Sequence, residues 1–140
     1  MRAALPVLLA LLIVGCAKPT EVPTTDAPEA GKIVKIDMTP EQMAKAMDIP
    51  MYPGSTAPDG LSSAPQKRDD GSTHYSLILA TNDPVKQVAD WYAKETGIEA
   101  KADARGVSLV GSTKNGVNLI LGVKTEAGRT LIDIKAIVYK

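Results

Sequence analysis

Residues 81–97 of the chain read TNDPVKQVADWYAKETG, and this stretch decides the fold. Asp83 is a residue type that caps helices and Pro84 suits the first helical turn, so the pair predicts a helix start. Apolar side chains then recur at helical spacing along one stripe: Val85, Val88, Ala89 and Tyr92. Gly97 is placed to end the helix in a left-handed conformation. The sequence therefore predicts one long helix.

Strand patterns flank this helix on both sides. Apolar and polar residues alternate over 73–80, which is the period of a half-buried strand. After the helix, four more strands are predicted over 98–103, 107–112, 117–124 and 130–139. Asn115-Gly116 between two apolar runs is a strong hairpin signal, because a type I′ turn needs positive φ at both central residues.

A second, shorter helix is predicted before these elements. Thr39-Pro40-Glu41-Gln42 has the pattern of a capping box and predicts a helix through about Met47. Residues 54–72 are rich in Gly, Ser, Pro and Asp, which predicts mostly loop. The predicted fold class is α+β: an antiparallel meander sheet of about five strands, with one long helix packed on one face and a short helix before it.

Three motifs occur in a fixed order. Tyr52-Pro53-Gly54-Ser55 precedes a polar loop, a strand then ends near Thr81-Asn82-Asp83-Pro84, and the long helix carries Trp91-Tyr92. This order resembles a recurring type of small exported α+β domain over residues 50–139. The resemblance implies no activity.

The first sixteen residues have the pattern of an export signal. Arg2 precedes an apolar run from Ala3 to Val14, which is too short for a helix of about 20 residues that spans a membrane. The run ends in Ile13-Val14-Gly15-Cys16, which resembles the lipobox of bacterial lipoproteins. That family implies cleavage before Cys16 and diacylglycerol on its sulfur. Cys16 is the one cysteine of the chain, and lipidation accounts for an odd cysteine in an exported protein.

The domain organisation follows from this signal. Residues 1–15 are predicted to be a signal peptide, residues 16–32 a lipidated cysteine with a Pro- and Thr-rich tether, and residues 33–140 a single small domain. Among lipoproteins of bacteria with two membranes, aspartate after the cysteine tends to signal retention in the inner membrane, and Ala17 stands there. We therefore expect the outer membrane, facing the periplasm, and the outer face of the cytoplasmic membrane is the alternative.

The composition excludes one class of partner. Of 140 residues, 16 are Lys or Arg and 16 are Asp or Glu, so there is no basic field to hold nucleic acid phosphates. Nothing in the sequence predicts a cofactor.

Catalysis and metal binding have weak candidates. Asp70, Ser72 and His74 offer an acid, a nucleophile and a base, but they lie side by side rather than on separate elements, and Ser108 does not lie in a nucleophile elbow. Four thioethers, which suit Cu(I), lie within a short segment: Met38, Met43, Met47 and Met51. Hydrophobic packing is the preferred interpretation of these methionines, and neither a metal site nor an enzyme is predicted.

A binding surface is better motivated. Residues 117–123 and 130–138 give the sheet one apolar face, which we expect the long helix to cover. The opposite face is mixed: polar and charged side chains with space at Gly111 and Gly122 surround a candidate binding set, namely Ile78, Val110, Ile120, Ile137 and Tyr139. Residues 33–61 are expected to fold back over it, because large exposed apolar patches are uncommon. The alternative occupant is an envelope protein or a small amphipathic ligand.

The sequence thus predicts a lipid-anchored extracytoplasmic binding or scaffolding module of the bacterial envelope. A soft-metal or small-ligand carrier is the alternative, and an enzyme is less favoured.

Overall fold

The computed structural model describes residues 34–139, which form one antiparallel sheet and two helices. In chain order the elements are β1 (Val34–Lys35), α1 (Pro40–Met47), β2 (Ser63–Lys67), β3 (Ser72–Thr81), α2 (Val85–Thr96), β4 (Ala100–Asp103), β5 (Gly106–Ser112), β6 (Asn118–Glu126) and β7 (Arg129–Tyr139). The α+β class and the antiparallel sheet are confirmed.

Helix α1 begins with the predicted capping box. The Thr39 hydroxyl accepts a hydrogen bond from the Gln42 N–H at 3.3 Å, and the Gln42 side-chain oxygen accepts one from the Thr39 N–H at 2.8 Å. Both interactions satisfy backbone donors that the first helical turn leaves unpaired. The helix ends at Met47, as predicted, and Asp48 follows in the left-handed region at φ 54°.

Helix α2 ends as predicted but starts differently. Gly97 ends it with φ 73°, and the Gly97 N–H donates to the Ala93 carbonyl. The residue at the N-cap is Pro84, and no side chain caps this end. Asp83 was predicted as the cap, and that was wrong, because its carboxylate accepts a hydrogen bond from the Tyr52 hydroxyl at 2.8 Å instead.

The strands lie in the order β1-β2-β3-β7-β6-β5-β4, and each neighbouring pair is antiparallel. Strands β4 to β7 form the predicted meander, and β3 then pairs with β7 over the length of β3. A two-residue turn joins β6 to β7, with Ala127 at φ 51° and Gly128 at φ 76°. Positive φ at both residues matches the twist of the paired strands.

The prediction of five strands was wrong: residues 34–139 hold seven. The additional pair, β1 and β2, lies at one edge of the sheet beside β3. Strand β2 reads SAPQK, without the alternation of apolar residues that marks a strand. Its pairing with β3 shifts between Ser63 and Gln66, which accommodates Pro65 in the strand.

Both helices cover the same face of the sheet, which we call the helix face. Helix α1 contacts β3 and β7, while α2 contacts β4, β5 and β6. Side chains of α1 such as Met47 and of α2 such as Tyr92 belong to one buried cluster with Leu79 and Leu121. The long helix was expected to cover the apolar face of the last two strands, and it contacts β6 while α1 contacts β7, because α2 has 12 residues and lies over only part of a sheet of this width.

Several predictions lie outside the described residues: the signal peptide (1–15), Cys16 and the tether through residue 32. In the described part of the chain, neither helix has the length and hydrophobicity needed to cross a membrane.

Candidate functional site

The face of the sheet opposite the helices, which we call the open face, carries the candidate binding residues. Side chains alternate between the two faces along each strand. On β6, for example, Leu119 and Leu121 are buried under the helices, so Asn118, Ile120 and Gly122 lie on the open face.

Residues 34–139 leave most of the open face uncovered, and Val110, Tyr139 and Ile120 are 65%, 61% and 55% exposed there. We expected residues 33–61 to fold back over it, and the described part of that segment shows this was wrong. The reason lies in α1, whose Met43 and Met47 enter the core on the helix face. The segment thus contributes its apolar side chains to the other side of the sheet.

A groove of about 600 Å³ crosses the open face. This volume falls within the range of roughly 300–1,000 Å³ that is typical of small-molecule sites. We call it the open-face groove and define it by the side chains of five strands: Gln66, His74, Ser76, Ile137, Lys135, Asn118, Ile120, Val110 and Ser112.

The strand register arranges these side chains in two rows. The first row runs from β2 to β5 through Gln66, His74, Ile137, Asn118 and Ser112. The second row, one pleat further along, runs from β3 to β5 through Ser76, Lys135, Ile120 and Val110. Neighbours within a row are about 5 Å apart.

Three of the five candidate binding residues meet in this groove. Val110 and Ile120 are direct cross-strand neighbours, and Ile137 lies diagonally from Ile120. Ile78 and Tyr139 do not line the groove. Ile78 lies further along β3, where the Ser62 hydroxyl accepts a hydrogen bond from its N–H at 2.9 Å, and Tyr139 lies at the opposite end of β7, across from Ser72.

The sequence interpretation missed Gln66, because residues 54–72 were predicted as mostly loop. A usable signal was present in Asp70-Gly71, which is a common hairpin turn pair. Gly71 has φ 83°, and the Arg68 N–H donates to the Ser72 carbonyl at 2.8 Å to close the β2–β3 turn. This hairpin brings Gln66 opposite His74.

Of the two glycines expected to leave space on the open face, one does so. A Cβ built at Gly122 meets nothing within 4 Å. At Gly111 it meets the Ile98 side chain at 3.4 Å, which places that position on the helix face with Leu109. Expecting Gly111 on the open face was therefore wrong, since alternation along β5 leaves Ser108, Val110 and Ser112 on that face.

The charged side chain that lines the groove is positive. Lys135 is the cationic residue that lines it, and no Asp or Glu is part of the lining. The Lys135 ammonium lies 3.2 Å from an Asp133 carboxylate oxygen just outside the groove, with the two side chains 59% and 37% exposed. Ion pairs this exposed contribute only about 0–1 kcal/mol, so Lys135 is available to another anion at little cost.

The three motifs that carried the resemblance to small exported domains meet around Tyr52 at the end of α2. The Tyr52 hydroxyl accepts a hydrogen bond from Gln87 at 3.0 Å in addition to donating to Asp83, and the Tyr52 N–H donates to the Tyr92 hydroxyl at 3.2 Å. The Trp91 ring packs edge-on against Tyr52, with centroids 5.3 Å apart. Burial raises the pKa of Tyr52, and the hydrogen bond to Asp83 raises it further. These contacts join the chain before β2 to α2 and have a structural role.

Asp70, Ser72 and His74 do not form a catalytic arrangement in the structure. The Asp70 carboxylate accepts a hydrogen bond from the Ser72 N–H at 2.8 Å within the β2–β3 turn. Hydrogen bonds from Ser72 lower the pKa of Asp70. His74 lies on the open face, where its nearest cross-strand neighbours are Gln66 and Ile137. Ser108, also on the open face, pairs with Gly122.

The four clustered methionines pack against the core. Met43 and Met47 are 3% and 0% exposed, and Met38 and Met51 are partly buried against the same cluster. Among residues 34–139, no group of three or more His, Cys, Asp and Glu side chains is placed to hold a metal ion.

The chain matches no protein-family model, and searches of curated proteins and of solved structures give no match either.

Proposed function

We propose that this chain is a lipid-anchored, extracytoplasmic binding module of the bacterial envelope, and that the open-face groove is its binding site. The observation that carries the proposal is an uncovered groove whose lining combines the apolar side chains of Val110, Ile120 and Ile137 with polar ones. Concave sites that combine apolar lining with a few convergent polar groups are typical of ligand sites.

The exposure of aliphatic side chains supports a binding role for this face. Val110 and Ile120 lie side by side on β5 and β6, and both are more than half exposed. Single exposed apolar residues are normal on a soluble domain, whereas adjacent ones within a groove mark an interaction site. The buried core that stabilises the fold lies on the helix face, so side chains of the open face are available for binding.

The anchor is proposed from the lipobox-like sequence that ends in Cys16. Two or more acyl chains hold a protein stably on a membrane, whereas one holds it marginally. The full chain and the Cys16→Ser variant are expressed in a bacterial host, and membrane and soluble fractions are compared. We expect the variant to leave the membrane fraction with its folded domain intact, and a variant retained there would refute lipid anchoring.

The groove is tested by capture of an envelope component. The chain is purified from its native envelope, and bound proteins and extractable small molecules are identified by gel and by mass spectrometry. We expect Ile120→Asp to lose the molecule that the unchanged chain retains, because the carboxylate replaces apolar surface in the groove and lies directly opposite Lys135, where it would compete for the ammonium.

Leu61→Asp is the matched control, because Leu61 is 48% exposed and does not line the groove. Val110→Asp serves as a second groove variant, and circular dichroism checks the fold of each. Equal capture by the unchanged chain and by both groove variants would show that the groove is not the site.

A further inference from the structure

The second row of the open-face groove has a polar end and an apolar end. It starts at Ser76 on β3, beside Gln66 and His74 of the first row, and all three side chains are able to donate or accept hydrogen bonds. At its other end Ile120 on β6 and Val110 on β5 lie side by side, whereas the first row stays polar on these strands, with Asn118 and Ser112. Lys135 lies on β7 between these two ends, directly opposite Ser76 on one side and Ile120 on the other. A ligand that fits this arrangement has a polar head and an apolar tail.

The row from Lys135 through Ile120 to Val110 gives this ligand its direction. Adjacent strands are about 4.8 Å apart, so the backbone at Lys135 on β7 and the backbone at Val110 on β5 are separated by about 10 Å. Ile137, beside this row, widens the apolar surface on β7. A single hydrocarbon chain laid across β6 and β5 would cover Ile120 and Val110 while its head stays over β7 and β3.

The charge of the groove lining determines which charge the ligand's polar head should carry. One ammonium and one imidazole line the groove, and no carboxylate does. A cationic head would meet Lys135 without a balancing acid in the groove, and like charges placed together are unfavourable. An anionic head would replace the exposed contact between Lys135 and Asp133 with one shielded by the ligand, where ion pairs are less screened by salt.

The cationic residue in the groove is a lysine rather than an arginine, and this favours a ligand head with one negative charge. The groove has no arginine, whose planar guanidinium matches phosphate through two parallel hydrogen bonds. A lone lysine acts as a point charge and balances one negative charge, as on a carboxylate. Neutral donors on Gln66, Ser76 and Asn118 are available for the second carboxylate oxygen.

We propose that the ligand of the open-face groove is a single-chain amphiphile with a carboxylate head, held at Lys135 with its hydrocarbon chain over Ile120 and Val110. This assignment rests on the proposed function of the groove and names its ligand class.

The test uses sodium decanoate as the probe, below the concentration at which it forms micelles. The purified chain, labelled with ¹⁵N, is titrated with decanoate and separately with decyltrimethylammonium, and amide shifts are followed by NMR. We expect decanoate to shift amides of β5, β6 and β7 and to bind roughly ten-fold more tightly than the cationic amphiphile.

Variants at the head position sharpen the test. Lys135→Gln is expected to weaken decanoate binding roughly three- to ten-fold and to strengthen binding of the cationic amphiphile, because it removes a like charge, while Lys135→Arg keeps most of the decanoate affinity. Asp133→Asn is expected to strengthen decanoate binding, because it removes the competing carboxylate. Lys86→Gln is the matched control: Lys86 lies on α2, across the sheet, where its side chain is 85% exposed.

Two results would overturn the assignment. Equal affinity for the two amphiphiles, or unchanged decanoate binding in Lys135→Gln, would show that Lys135 and its charge do not take part in binding. If decanoate leaves the open-face amides unmoved while Ile120→Asp still abolishes capture of an envelope component, the ligand class is wrong and the groove keeps its proposed function.

Discussion

The two faces of the sheet are built from the same strands and differ in almost every other respect. On β6, Leu121 is fully buried on the helix face, whereas the preceding residue, Ile120, is 55% exposed on the open face. On β7, Ile134 is buried and Lys135 projects into the groove. Since neighbouring residues point to opposite faces, a strand can carry core residues and binding residues without conflict.

This difference separates stability from recognition. Side chains on the helix face pack against α1 and α2 in one buried cluster, so changes there act on the free energy of unfolding. In the open-face groove Val110 and Ile120 are more than half exposed, and changes there are expected to act on binding.

The largest expected effect is that of Leu121→Ala. This substitution removes buried methyl groups between α2 and the sheet and leaves a cavity, which costs about 2–5 kcal/mol of stability. Ile120→Ala changes the adjacent position on the open face and is expected to cost less than about 1 kcal/mol. Urea denaturation of both variants measures the difference, and equal losses would show that the open face is covered in solution.

A smaller effect is expected for Tyr92→Phe. The Tyr92 hydroxyl is buried and accepts a hydrogen bond from the Tyr52 N–H, so its removal leaves that donor without a partner and costs about 1–3 kcal/mol. Tyr139→Phe is the control, because Tyr139 is 61% exposed on the open face and should change stability by less than about 0.5 kcal/mol. If both variants unfold at the same urea concentration, the buried hydrogen bond does not contribute.

The smallest effect concerns alkaline pH. Burial raises the pKa of Tyr92 above the usual value for tyrosine, and burial shifts Tyr52 and Tyr75 in the same direction. Since the folded state holds these protons more tightly, stability is full below about pH 10 and falls above it, by at most about 1.4 kcal/mol per pH unit for the buried Tyr92 hydroxyl. Urea midpoints at pH 8, 10 and 11 measure this slope. Tyr92→Phe should have a shallower slope, and an unchanged slope would assign the effect to other groups.

The parts of the fold that sequence patterns predicted are those with strong local signals. Strand β3 and the hairpin of β6 and β7 alternate clearly between apolar and other residues, and Thr39 and Gly97 mark helix ends. Strand β2 was missed because Pro65 and its polar neighbours carry no strand period, and its pairing depends on the partner strand β3. The prediction of Asp83 as a helix cap was also wrong. Its carboxylate accepts a hydrogen bond from the hydroxyl of Tyr52, which lies 31 residues away in the chain and so is not visible in the local pattern.

The candidate site was predicted in part for the same reason. Val110, Ile120 and Ile137 could be placed on one face by alternation, and the register brings them together. Which face residues 33–61 cover is a matter of tertiary packing, and local patterns do not decide it. Gln66 reaches the groove through β2, a strand without a sequence signal of its own, so its place in the lining was visible only in the structure.

The place of β7 within the sheet makes both halves of the sheet depend on it. It comes last among the strands of residues 34–139, yet it lies between β3 and β6 and joins β1-β2-β3 to β6-β5-β4. Without β7, strands β3 and β6 each expose an unpaired edge, and such edges pair readily with other chains. Truncations within β7 should therefore aggregate rather than yield a smaller folded domain.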